Sequence, residues 1–284
     1  DFGIKKDEIV ILYVGRLSFH AKANPFQMYK SLNLVAQKSN KKLVLIECGW
    51  FGNKGIQEAF IQASNSLCTS IKIIRVDGRN NDIKLKSFAA ADIFCSLSDN
   101  IQETFGITPI EAMAAGLPVI VSDWNGYRST VRDGVDGFTI KSYSLSDGFG
   151  EELAFNHMID FIDYNHYVGF TSQRVAIDID ICIEKLNILI NNKDKRLEMG
   201  KNGRDRAQGE LSWSNILSQY KELATELNKI RDSYNPDSSK DIIKLPHDRM
   251  DPFKVFSTYP TEIINNKSLI KRNMIINKIE LNDF

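Results

Sequence analysis

The sequence predicts an α/β fold built on a doubly wound parallel sheet, and three observations predict it. Strand-like stretches recur at 9–14, 43–48, 71–76, 92–97 and 117–121, the first (IVILYV) a continuous apolar run and the last apolar as well. Continuous rather than alternating runs suit strands covered on both faces, as in a parallel sheet. Between them lie helical patterns at 25–39, 56–67 and 83–90, and that rhythm implies right-handed crossovers with helices on both faces. Third, the runs end in turn-forming stretches, GRLSFHAKANP, GWFGNKG and DGRNN, and ligands of such sheets sit beyond the carboxyl ends of the strands.

Taken in order, a polar lead-in precedes the first strand, and Pro25 opens the first helix. Strand and helix then alternate until the stretch 103–123, ETFGITPIEAMAAGLPVIVSD. Proline is tolerated only in a helix's first turn, so Pro109 sets a helix start near Gly106 or Ile107. Gly116 ends that helix in a left-handed cap, and an apolar strand follows. A last short strand is expected at 138–140, which completes a Rossmann-like layer structure over the first 140 residues. The aromatic-rich segment 142–176 is longer than an ordinary connection and reads as an insertion with its own helix. Helical patterns return at 177–190 and 193–207, and Ser212-Trp213 opens another reaching about residue 231. The expected division is a domain over 1–231 and a linker (SYNPDSSK) with a C-terminal extension over 232–284.

Composition narrows the function classes. Lys plus Arg equals Asp plus Glu, 36 each among 284 residues, so no overall field draws the chain to nucleic acid. Cys48, Cys68, Cys95 and Cys182 have no C-x-x-C spacing and read as reduced thiols. No apolar run approaches the roughly 20 residues of a membrane span and no signal peptide opens the chain, so the expectation is a cytoplasmic protein. Lys267, Lys271, Arg272 and Lys278 punctuate apolar residues in the last helix candidate, which leaves open a peripheral contact at the inner membrane.

Residues 103–123 also carry the chemistry. The free amides of Thr104, Phe105, Gly106 and Ile107 at the helix start form an anion site. Glu103 lies before it and Glu111 in the second helical turn. Amides suit a phosphate, and carboxylates suit sugar hydroxyls. Arg16 and Lys22, in the loop after the first strand, belong to the same rim and can converge on a diphosphate without a metal. With AAADIFCSLSD before it and GLPVIVSDWNGYRSTVRDGVDGF after it, the pattern resembles the E-x(7)-E signature of the retaining, nucleotide-sugar-dependent group-1 glycosyltransferases. The resemblance extends over about 9–140, and loosely to the helix near Trp213.

That resemblance implies the C-terminal, donor-binding half of a two-domain GT-B enzyme of hexosyltransferase type, with the acceptor held mainly by an N-terminal half that this chain lacks. Alone, the chain is then expected to transfer little or nothing. The implied donor is a nucleoside diphosphate sugar such as a UDP-, GDP- or ADP-sugar, with no cofactor and no metal. The implied acceptor is a sugar, a glycan or a lipid-linked acceptor. The R-x(5)-K spacing of Arg16 and Lys22 matches the family's phosphate-contacting pair. Glu111 resembles the glutamate that hydrogen-bonds the ribose, and Glu103 the residue that contacts the transferred sugar. Arg79, after the third strand, sits where the base often packs, and a guanidinium over an aromatic base is physically reasonable.

Each assignment has a plainer counterpart. Arg16, Lys22 and Arg79 could be solvated loop cations, Glu111 a helix-surface carboxylate, Glu103 an N-cap, and Gly106 an ordinary turn glycine. Asp92 reads as structural. His20 stands between Arg16 and Lys22, either touching a ligand or serving as a loop residue. His157, Asp160, Asp163 and His166 lack the spacing of a known metal site and read as a helix face. GWFGNKG has Phe51 where a dinucleotide fingerprint needs its second glycine, which argues against a dehydrogenase. A non-catalytic nucleotide-sugar-binding or protein-interaction module is the other alternative.

Overall fold

The computed structural model describes residues 2–233, 250–265 and 268. Six parallel strands form the main sheet: β1 (Glu8–Val14), β2 (Lys42–Gly49), β3 (Lys72–Asp77), β4 (Ile93–Ser96), β5 (Val119–Ser122) and β6 (Gly137–Ile140). Helices α1 (Phe26–Lys38), α2 (Lys54–Leu67), α3 (Asn81–Ala90), α4 (Ile107–Ala114) and the short α5 (Tyr127–Thr130) connect them. The order is β3-β2-β1-β4-β5-β6, the doubly wound α/β architecture that the run pattern predicts.

Both faces of the sheet are covered. Ile11, Tyr13, Leu43 and Leu45 join one core with Tyr29, Leu32, Phe60 and Leu186. The alternate residues Val10, Leu12, Val14, Val44 and Ile46 join a second with Phe88, Met113 and Ala207. Two apolar destinations for successive side chains are the reason β1, and β2 but for one residue of its buried stretch, read as apolar runs; each large side chain fully buried contributes about 1.5–3 kcal/mol. The exception is Glu47 in β2, fully buried. It forms a 2.8 Å ion pair with Arg75 of β3 and accepts the Tyr29 hydroxyl. Burial raises its carboxyl's affinity for protons while Arg75 works against that.

Two long helices, α8 (Ile179–Asn191) and α9 (Lys193–Gly209), complete the layers. Gly200 and Gly203 bring α9 against Gly116 and Met113, and Arg204 donates to the last carbonyls of α4, those of Ala114 (3.3 Å) and Ala115 (2.6 Å). A cation at a helix carboxyl end is favourable, and it fixes α4 at the site. Next, α10 (Trp213–Ser233) buries no residue.

The insertion is more elaborate than the sequence suggests. It holds two helices rather than one, α6 (Glu151–Met158) and α7 (Tyr164–Ser172), and strands β7 (Ser142–Leu145) and β8 (Ala176–Ile177). A segment beyond the expected linker returns to it: α11 (Pro252–Val255) precedes β9 (Glu262–Ile264), which pairs parallel with β7. Tyr259 packs edge-on against Trp124 at 5.5 Å, and Arg128 donates to the carbonyls of Thr258 and Tyr259, each at 2.9 Å. Residues 250–264 thus belong to the body of the fold. The sequence 234–240 and the stretch with Lys267, Lys271, Arg272 and Lys278 lie outside the described residues. No described helix is long and apolar enough to cross a membrane, and all four cysteines are free and buried.

Candidate functional site

The strand order reverses between β1 and β4. At such a switch point the loops leaving two neighbouring strands part and open a crevice. The loop after β1 (15–25) carries Arg16 and Lys22, and the loop after β4 (97–106) carries Glu103 and leads into α4. Across this crevice the Lys22 ammonium pairs with Glu103 Oε2. Glu103 is 8% exposed, so a carboxylate that water barely reaches holds a cation where a ligand would enter.

Local sequence explains α4. Its N-cap is Gly106 at φ +77°, a left-handed conformation that glycine adopts at no cost. Pro109 sits in the first turn, and Gly116 follows the last turn at φ +81°. Gly106 is required sterically as well: any Cβ there would run into the ring of Tyr127, and one on Gly126 would meet the Thr104 carbonyl. No side chain caps α4, which corrects the alternative reading of Glu103 as an N-cap. The amides of Thr104, Phe105, Gly106 and Ile107 donate to no acceptor among the described residues. They stand beside the Lys22–Glu103 pair.

Beneath the turn, the Tyr127 hydroxyl lies 3.3 Å from Ser96 Oγ, and the Tyr13 hydroxyl donates to the Arg16 carbonyl at 3.3 Å. Burial first, and the Glu103 carboxylate after it, push the Tyr127 phenol far above its ordinary value. Burial, Glu47 and Glu103 do the same to Tyr13. Both phenols therefore stay neutral, and the floor of the crevice adds no charge of its own.

The second carboxylate is set differently. Glu111 forms a 2.8 Å ion pair with Lys84 of α3, with both side chains partly exposed. It also lines an open groove of about 1130 Å³ between α4 and α10, together with Phe105, Ile107, Trp213 and Tyr220. Arg16 is exposed and makes no ion pair among the described residues. Its charge reaches His20, whose affinity for protons is lowered by burial and then by Arg16. The end of β2 and the turn GWFGNKG after it support this loop: Gly15 N–H donates to the Cys48 carbonyl (3.2 Å) and Leu17 N–H to the Trp50 carbonyl (2.9 Å).

The structure thus brings Lys22 and Glu103 together, with Thr104, Phe105, Gly106 and Ile107 beside them and Glu111 one turn further. It does not bring Arg79 to them. Arg79 follows the edge strand β3 and is held by Asp77 through Nε (2.9 Å) and Nη2 (2.7 Å). Those bonds pull the Asp77 carboxyl down to about 2. Asp92 accepts from Val10 N–H at 2.9 Å. Asp163 caps α7 through His166 N–H at 2.9 Å, and His157 stacks on Tyr167 with ring centroids 4.9 Å apart. No cluster of three potential metal ligands occurs among the described residues. Sequence reasoning missed Lys84, Tyr13, Tyr127 and the buried polar run Ser98, Asp99 and Asn100. The run carries no local signal, because β4 itself ends in the polar Ser96 and Leu97 intervenes.

Comparison with known proteins bears on the family and the fold. An uncharacterized glycosyltransferase of Methanocaldococcus jannaschii is 28% identical over 138 residues, covering 49% of this chain and 33% of that protein. The D-inositol 3-phosphate glycosyltransferase of Nocardia farcinica is 26% identical over 149 residues, 52% of this chain and 32% of that one. The lipopolysaccharide 1,2-N-acetylglucosaminetransferase of Salmonella typhimurium is 29% identical over 155 residues, 53% and 39% respectively. The matched segments thus span about a third of these relatives. Among solved structures, Anabaena HepE in complex with UDP and glucose superposes with a TM-score of 0.52 at 19% identity, over 78% of this chain and 49% of that one. Sucrose-phosphate synthase from Thermosynechococcus elongatus gives 0.50 at 21% identity, over 80% and 47%. These two show a shared fold, the six-stranded parallel sheet of GT-B glycosyltransferases. Residues 1–154, more than half of the chain, match the profile of the group 1 glycosyl transferases, and the chain belongs to that family.

Proposed function

We propose that this chain is the donor-binding half of a retaining, metal-independent glycosyltransferase that moves a sugar from a nucleoside diphosphate sugar to an acceptor held largely by a separate N-terminal half. The observation that carries the reading is the Lys22–Glu103 pair at the switch point, beside the unengaged amides of Thr104 to Ile107. When a diphosphate enters, Lys22 exchanges its carboxylate partner for phosphate oxygens. Arg16 and the helix amides supply the remaining charge stabilisation as the phosphate departs. Released from Lys22, Glu103 faces the transferred sugar, positions it and stabilises positive charge at its anomeric carbon. Glu111 turns from Lys84 to the ribose hydroxyls, a charge-assisted contact of specific geometry.

The retaining course rests on the resemblance of the E-x(7)-E motif to that of retaining enzymes. Two cations and a helix terminus suffice for a diphosphate, which supports metal independence. The relatives' greater length and α10, which buries no residue and leaves Leu217, Tyr220, Leu223, Leu227 and Ile230 open to solvent, support a companion half. Four unpaired buried thiols fit a reducing cytoplasm. The second reading, a non-catalytic nucleotide-sugar-binding or interaction module, draws on that same exposed helix.

Calorimetric titration with UDP, GDP, ADP and their sugars tests the proposal. At least one diphosphate should bind, with unchanged affinity in EDTA and a clear loss in Lys22→Ala. Absence of binding by all of them at millimolar concentration would remove the donor site and leave the interaction module.

A further inference from the structure

Three consecutive side chains behind the crevice grip alternate residues of the loop that bears Lys22. Asn100 Nδ2 donates to the His20 carbonyl at 2.8 Å, and Ser98 Oγ donates to the Lys22 carbonyl at 3.2 Å. The Asp99 carboxylate accepts the Asn24 N–H at 3.2 and 3.3 Å. Ser98 and Asn100 are 1% and 0% exposed, and Asp99 is 0% exposed. The gripping strip is itself anchored to β5 and the loop after it. Ser122 Oγ donates to the Ser98 carbonyl at 2.6 Å, and Trp124 Nε1 to the Asn100 carbonyl at 3.0 Å. That same Asn100 carbonyl accepts Glu103 N–H at 2.9 Å. One short segment therefore fixes the backbone on both sides of the Lys22–Glu103 pair.

We infer that Ser98, Asp99 and Asn100 are positioning residues that set the loop after β1 at the height where the Lys22 ammonium meets both Glu103 and an incoming diphosphate. The function of the clamp rests on the donor-site reading; its existence does not. Lysine's flexible stem positions its charge only as well as its backbone is held, and a buried loop amide or carbonyl without a partner costs free energy. Hydrogen bonds at residues 20, 22 and 24 meet both needs. Asp99 suits a place without a counter-charge: burial pushes its carboxyl up to about 8 against the hydrogen bonds from Asn24 N–H and its own backbone. It accepts from Asn24 largely as a neutral acid at pH 7, and an asparagine carboxamide would do the same.

Hydrogen exchange on the intact chain, with Asp99→Ala and Asp99→Asn, tests the clamp. Asp99→Ala should speed exchange over residues 18–24 about tenfold or more and leave 119–122 unmoved; Asp99→Asn should restore protection. Unchanged exchange over 18–24, or equal acceleration over 119–122, would overturn the clamp whatever the ligand does. The role in binding is read by titrating whichever of UDP, GDP or ADP the wild type binds, beside its parent nucleoside. Asp99→Ala should weaken the diphosphate about tenfold, leave the nucleoside unchanged, and be rescued in Asp99→Asn. Equal losses for both ligands would reduce Asp99 to a structural role. If the wild type binds no diphosphate, the donor reading falls, while exchange still decides whether the clamp exists.

Discussion

The two carboxylates that flank the start of α4 stand in opposite settings. Glu103 lies in an irregular loop, nearly out of water, joined to Lys22 and backed by the neutral phenols of Tyr127 and Tyr13. Glu111 projects from a regular helix, partly exposed, and its partner Lys84 comes from the neighbouring helix α3. The loop position is fixed by long-range hydrogen bonds and is costly to disturb. The helix position is fixed by local geometry, and its side chain remains free to turn. A group that must meet charge developing at a reacting centre gains from the first setting; one that must release a cation and take up two hydroxyls gains from the second.

Four experiments would break or sharpen that contrast. The largest effect is expected for Glu103→Gln in the complete enzyme, where transfer should fall by about 10²-fold or more. Nucleotide affinity should hold or tighten, because Lys22 loses a competing carboxylate. Substantial residual turnover would place Glu103 outside the chemistry. Next, Glu111→Ala should weaken nucleotide binding about tenfold to a hundredfold by calorimetry, and unchanged affinities for UDP, GDP and ADP would sink the ribose role.

Smaller is the effect of pH through Asp99. Its carboxyl rises from 3.8 to about 8 on folding, so the folded chain holds a proton that the unfolded chain has released over that interval. The associated stability is complete below pH 4 and lost progressively up to about pH 8. Asp99→Asn, which cannot titrate, should gain thermal stability relative to wild type as pH rises from 5 to 9; a constant gap would contradict the burial argument. Smallest is Lys84→Ala, since a partly exposed ion pair is worth about 0–1 kcal/mol. A loss in unfolding free energy well above that range would mean that Glu111 is bound into the fold more tightly than its exposure suggests.

The sheet, its helices and the start of α4 were legible because they rest on local rules. The apolar run of β1 and the alternation of strand-like with helical stretches mark β1 to β5, and Pro109 with Gly116 brackets α4. What escaped depends on contacts between residues far apart along the chain, which leave no periodic trace. Lys84 is indistinguishable in sequence from Lys86, which pairs on its own helix with Asp82. Glu47 lies hidden in an apolar run because its partners Arg75 and Tyr29 come from other elements. The return of β9 to β7 joins positions about 120 apart, across a stretch that reads as a linker. Ser98, Asp99 and Asn100 have the composition of an exposed turn, and only the fold shows that their side chains face inward. Arg79 follows β3 as its sequence position implies, yet its guanidinium is occupied by Asp77.

The stacking of Gly106, Gly126 and Tyr127 has a consequence for how much variation this rim can absorb. With the phenol ring against one glycine and the Thr104 carbonyl against the other, neither position has room for even a methyl group. Their neighbours Phe105 and Ile107 point outward with ample space. A saturation library selected for folded protein should therefore return glycine alone at 106 and 126 and a broad mixture at 105 and 107. Diversification of this surface is thereby channelled into the two side chains that frame the open amides.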